Sequence, residues 1–114
     1  DALPIYQILL KQLLSIYKPD GFDWLSYQIT KSNILTLHHV TKVAEGGILK
    51  IENAALLTKK SHRALNICEY RDYILYKEIN DFFRKIILSG LPLDEYLKAE
   101  SKEYKKALVK TLYK

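Results

Sequence analysis

The sequence predicts an α+β domain, mostly helical, and three observations lead there. Apolar residues recur at helical spacing over residues 4–17, 58–89 and 94–112, whereas residues 34–41 and 49–57 are rich in β-branched and apolar types. Between the two β-like stretches stands Gly46-Gly47, as expected of a connection needing unusual backbone angles. The chain has 114 residues, 48% hydrophobic and 27% charged, which suits one modest core and excludes a wholly disordered chain.

Each element follows from local pattern. Ile5, Ile8, Leu9, Leu13, Ile16 and Tyr17 give residues 4–17 a helical stripe; Pro4 suits its first turn and Pro19-Asp20-Gly21 stops it. Phe22 to Thr30, with Trp24 and Tyr27, reads as a short helix or a packed loop. Residues 34–41 read as a strand and Leu49 to Leu57 as a second, short one, together a hairpin with a long connection. From Thr58 to Ser89, Leu65, Tyr70, Ile74, Ile79, Phe82, Phe83, Ile86 and Ile87 predict a helical segment. Thr58 or Ser61 would cap it, and Gly90 with Pro92 would end it. A last helix over 94–112 would bury Leu97, Tyr104, Leu108 and Leu112 and expose Lys98, Lys102, Lys105, Lys106 and Lys110. No repeat, low-complexity run or internal linker divides the chain, so residues 1–114 are expected to form one domain.

Composition narrows the function classes. One cysteine excludes an intrachain disulfide framework and paired-cysteine zinc ribbons, and Cys68 itself reads as a small buried residue. No run approaches the roughly 18 consecutive apolar residues of a membrane span, so no membrane partner is expected. The absence of Met suggests a piece of a longer protein or a processed chain. The net charge is +5, and its distribution is uneven: −1 over residues 1–30, +4 over 31–63, zero over 64–92 and +2 over 93–114. The positive centre coincides with all three histidines, His38, His39 and His62, where a polyanion would be drawn. The nine tyrosines read as residues at the rim of the core.

Adjacent histidines on a strand point to opposite faces, so His38-His39 alone reads as one core and one exposed residue. The whole segment reads differently. Leu37-His38-His39-Val40, Glu45-Gly46-Gly47, Glu52-Asn53-Ala54-Ala55-Leu56-Leu57 and Ser61-His62-Arg63 follow one another, with fourteen residues from His39 to Asn53 and nine from Asn53 to His62. This pattern resembles the HNH endonuclease family, whose ββα-metal fold is a hairpin followed by a helix. The resemblance covers residues 34–88, and Cys68-Glu69-Tyr70, Asp72, Tyr76, Ile79-Asn80 and Phe82-Phe83 are similar to a phage and bacterial branch. Helices 4–17 and 94–112 would flank this unit.

The resemblance implies a site. His39 would be the general base; imidazole, with an ordinary pKa of about 6.5, can take a proton from water at neutral pH. His38 and His62 would hold one divalent cation. Asn53 would brace the connecting loop and help orient the base. Nitrogen ligands favour Mn, Ni, Zn or Co, with Mg less suited. Lys42, Lys59, Lys60 and Arg63 surround the site in sequence and are candidates for phosphate contacts, or for plain solvated positions. The implied activity is metal-dependent hydrolysis of phosphodiester bonds in DNA, with RNA also admissible. The alternative is a catalytically weak or inactive HNH-fold nucleic-acid-binding module within a larger protein or complex. Further domains or subunits would supply targeting. The implied setting is the cytoplasm in a phage or bacterial context, or a secreted toxin domain.

Three departures from the family pattern stand out. His38 occupies a position that many members fill with Asp. Asn66 stands where some relatives have a second helical His, and is either a weak third ligand or a solvated residue. No CxxC pairs brace the unit, so the flanking helices are expected to do so.

Overall fold

Two five-residue strands cannot stand alone in water, so the arrangement is governed by what covers them. In the computed structural model, residues 2–113 are described, with side chains from Pro4 to Tyr113. Four helices enclose one antiparallel hairpin: α1 (Ala2–Tyr17), β1 (Leu35–His39), β2 (Ala54–Thr58), α2 (Lys59–Arg71), α3 (Tyr73–Ser89) and α4 (Glu95–Leu112). The fold is α+β and mostly helical. Leu35 pairs with Thr58, Leu37 with Leu56, His38 with Ala55 and His39 with Ala54.

The hairpin lies between helices. On β1, Thr36 and His38 face α2 and α3, meeting His62, Phe83 and Asn80. His39 turns the other way and meets Tyr6 of α1, as the two-residue period of a strand requires. Every residue of β2 is buried. Leu13, Leu56, Leu57, Leu65, Ile79, Phe83, Ile86 and Leu108 are wholly buried and draw all four helices and the hairpin into one core. Each such side chain stabilises the fold by about 2 kcal/mol.

The segment 22–28 is a packed loop with one bridge, Phe22 to Gln28. Trp24 N donates to Leu56 O at 3.1 Å, so the loop covers the outer edge of β2 and blocks it from pairing elsewhere. Buried Asp23 organises this contact. Its Oδ1 accepts from Leu25 N and Tyr27 N at 2.9 and 3.0 Å, and its Oδ2 accepts from Thr58 N at 2.7 Å and from the Ser61 hydroxyl.

The helical segment over 58–89 divides in two. Asp72 N donates to Cys68 O at 2.8 Å and closes α2, while Asp72 Oδ1 accepts from Leu75 N at 3.1 Å and opens α3. A short carboxylate side chain that bonds nearby backbone N–H groups competes with helix continuation. Tyr70 and Ile74, expected in the apolar stripe, flank this break and are 89% and 72% exposed. Ile5 and Ile8 of α1 are also exposed, whereas Leu9, Leu13 and Tyr17 are buried. At the other end, Gly90 closes α3 and Asp94 caps α4. Among the described residues no helix is long and apolar enough to cross a membrane.

Candidate active site

β2 runs into α2 with no intervening residue, because Thr58 is both the last strand residue and the helix cap. Its Oγ1 accepts from Ser61 N at 3.3 Å, and Asp23 holds Thr58 N and the Ser61 hydroxyl from outside. His62, next in sequence, is thereby fixed in the first turn of α2 against β1. Its Nδ1 lies 2.9 Å from Thr36 Oγ1. Its ring stands edge-on to that of His38, with centres 5.4 Å apart and planes at 81°.

His38 is buried, with Nε2 2.9 Å from Asn80 Oδ1 of α3 and its ring edge-on to Phe83. The facing β2 residue is Ala55, whose small side chain leaves room for the imidazole. His39 is half-buried; its ring lies 5.7 Å from that of Tyr6, and its Nε2 is buried without a hydrogen-bond partner among the described residues. An unpaired buried polar atom costs about 1–3 kcal/mol.

The hairpin connection is held by one amide. Buried Asn53 accepts from Thr41 N through Oδ1 at 2.8 Å, and its Nδ2 donates to Thr41 O at 2.8 Å and Ile48 O at 3.1 Å. Gly46, at φ +91°, ends a 3₁₀ turn over Val43–Glu45 in a conformation that L side chains rarely adopt. At Gly47 the constraint is space: a Cβ there would lie 1.9 Å from Thr41 O and 2.8 Å from Asn53 Nδ2. Asn53 thus ties both sides of the loop beside His39, and Gly47 permits the approach.

All three imidazoles are held below the ordinary histidine range. Burial is the main cause at each, and it pushes His38 down to about 4, partly opposed by its bond to Asn80. The other two rings add repulsion at His38, and His39 adds it at His62. The trio is therefore neutral at pH 7, the form in which imidazole binds a metal or accepts a proton.

The remaining candidates are dispersed around the trio. Lys59, Lys60 and Arg63 are exposed in the first turns of α2, where no acidic residue accompanies them. Lys42 forms an ion pair with Glu69 instead. Asn66, one turn beyond His62, is exposed. Among the described residues, no group of three or more His, Cys, Asp or Glu converges on one point. Two residues close to the trio, Thr36 and Asn80, were not singled out as site residues by the sequence, nor was Asp23, which anchors the start of α2. Asp23 and Asn80 act on partners 35 to 42 residues away, beyond the reach of any local pattern.

Two imidazoles can be tested as a ligand pair by spacing. With metal–nitrogen bonds of about 2.1 Å and roughly 1.1 Å more to each ring centre, two imidazoles on one tetrahedral ion stand about 5.2 Å apart. The 5.4 Å between His38 and His62 fits this value. Against protein-family models, curated proteins and solved structures, the chain matches nothing, so the functional reading rests on this geometry and on the motif spacing.

Proposed function

We propose that the chain is a metal-dependent endonuclease of the HNH type that hydrolyses phosphodiester bonds in DNA. The observation that carries the reading is the single hairpin-to-helix junction that sets His62 beside His38, with His39 next along the strand and Asn53 tying the loop behind it. His38 and His62 would hold one divalent cation, Mn, Ni, Zn, Co or Mg, with the nitrogen donors favouring the first four. When bound, the cation supplies Lewis-acid stabilisation of charge on the phosphoryl and leaving oxygens.

The chain's own groups do the rest. His39, held neutral by burial, would take the proton from the attacking water after its ring turns. The turn is needed because its unpaired Nε2 is buried and the ring faces Tyr6 of α1, away from His38 and His62. The Tyr6 ring packs against His39 and limits the directions its ring can adopt. Lys59, Lys60 and Arg63 offer positive charge for the neighbouring phosphates of the substrate backbone. Lys42, already paired with Glu69, contributes less.

The test is cleavage of supercoiled plasmid by the chelator-stripped protein resupplied with Mn, Mg, Ni, Co or Zn in turn, beside His39→Ala. Metal-dependent cutting that falls by about 10²–10⁴-fold in the variant is expected, the usual contribution of a general base. Equal cutting by His39→Ala would overturn the base assignment. Binding without cutting under every metal would replace the enzyme reading with that of a nucleic-acid-binding module, and an RNA substrate in parallel tests the choice of DNA.

A further inference from the structure

A hydroxyl carries one proton, and that of Thr36 is committed. Thr36 Oγ1 donates to the Leu57 carbonyl at 2.7 Å, and a carbonyl can only accept. The contact between the same oxygen and His62 Nδ1 at 2.9 Å must then run from ring to hydroxyl. Nδ1 of the neutral ring holds the proton, and Nε2 keeps its lone pair.

The same counting applies to His38. Its Nε2 faces Asn80 Oδ1 at 2.9 Å, an amide oxygen that can only accept. The amide presents its oxygen, and not its nitrogen, to the ring. His38 therefore carries its proton on Nε2 and its lone pair on Nδ1. The two rings are opposite tautomers, each held by a neighbour with a single possible role.

We propose that Thr36 and Asn80 are positioning residues of the metal site: each fixes which nitrogen of its histidine is free for a divalent cation, and holds the ring plane. The inference rests on the reading of His38 and His62 as a ligand pair. Edge-to-face packing alone would also give two rings this spacing. Packing is satisfied by either tautomer, whereas a ligand needs its lone pair on the nitrogen that meets the cation, and the two hydrogen bonds leave it on Nε2 of His62 and Nδ1 of His38.

Two measurements test it. Long-range ¹H–¹⁵N correlation spectra of the metal-free wild type at about pH 7.5 report the tautomers directly, and Nδ1–H at His62 with Nε2–H at His38 is expected. Calorimetric titration with Co²⁺ and Zn²⁺, with the visible Co²⁺ spectrum, then compares Thr36→Val and Asn80→Leu with the wild type. A loss of about 10–100-fold in affinity is expected, with Thr36→Ser and Asn80→Asp restoring most of it. Circular dichroism confirms that each variant is folded.

The opposite tautomer at either ring of the wild type would overturn the inference and leave the nuclease reading standing. So would Thr36→Val and Asn80→Leu proteins that bind Co²⁺ as tightly as the wild type. If the wild type shows the stated tautomers but binds neither ion, the ligand-pair reading itself fails and the inference falls with it. Should Asn80→Leu not fold, the wild-type spectrum and the Thr36 pair still decide.

Discussion

Replacing Asn53 by alanine removes three hydrogen bonds from the loop beside His39, to Thr41 N, Thr41 O and Ile48 O. At about 1 kcal/mol net for each, the loss is about 3 kcal/mol; half-buried Thr41 can recover water, which keeps the figure from rising further. For a chain of 114 residues that corresponds to a fall in Tm of roughly 12 °C. Urea unfolding followed by the fluorescence of Trp24, the single tryptophan and 2% exposed, measures it directly. Gly47→Ala attacks the same contacts from the other side, since its Cβ would stand 1.9 Å from Thr41 O and 2.8 Å from Asn53 Nδ2. Each single variant therefore damages what the other depends on, and the double variant should cost at least about 1 kcal/mol less than the sum. An Asn53→Ala protein within about 0.5 kcal/mol of wild type, or strict additivity of the two substitutions, would refute the account of this loop.

Burial holds His38 at about 4 against an ordinary 6.5, so on acidification the unfolded chain takes up the proton first. In metal-free protein this contribution is full above pH 6.5 and is lost as pH falls towards about 4, amounting to roughly 3 kcal/mol. Urea midpoints measured across that range should show a smaller slope in His38→Gln, and an unchanged slope would contradict the assignment. Asp23→Ala strips the acceptor from Leu25 N, Tyr27 N, Thr58 N and the Ser61 hydroxyl, and should lower stability by about 3–5 kcal/mol. The same urea titration checks it, and a loss under about 1 kcal/mol would deny Asp23 its anchoring role. Burial pushes the Cys68 thiol up to about 11, so iodoacetamide should leave the native protein unmodified and label it quickly in urea. Fast labelling of native protein would show that α2 opens at this point.

Local patterns were the legible part of the sequence. The hairpin, the glycine pair in its connection, the Thr58 cap and the terminal helices all depend on residues near each other in the chain. The bracing of the loop by Asn53 and the proximity of His38 to His62 were expected only through the family resemblance, not from the residues taken alone. What escaped the reading depends on distant partners. Asp23 looks like one more turn residue after Pro19-Asp20-Gly21, and its purpose emerges only where Thr58 and Ser61 arrive beside it. Asn80 sits in a helical stretch among Ile79, Phe82 and Phe83, with no local sign that its amide meets a histidine 42 residues earlier. The break at Asp72 was hidden because Tyr70 and Ile74 continue an apolar period that the packing does not use, and neither proline nor glycine marks the position.

That break also sets a rule for how the chain can change in length. Unbroken, residues 59–89 would make a rod of about 46 Å, whereas the longest extent of the folded chain is 38 Å. The turn at Asp72 folds the second half back and fixes the angular phase with which α3 meets the hairpin. Each residue of a helix advances the side-chain direction by about 100°. One residue added or deleted between Asp72 and Asn80 would leave both caps intact and swing the amide away from His38. Substitutions can accumulate on the exposed side of this half-helix, but its residue count is pinned.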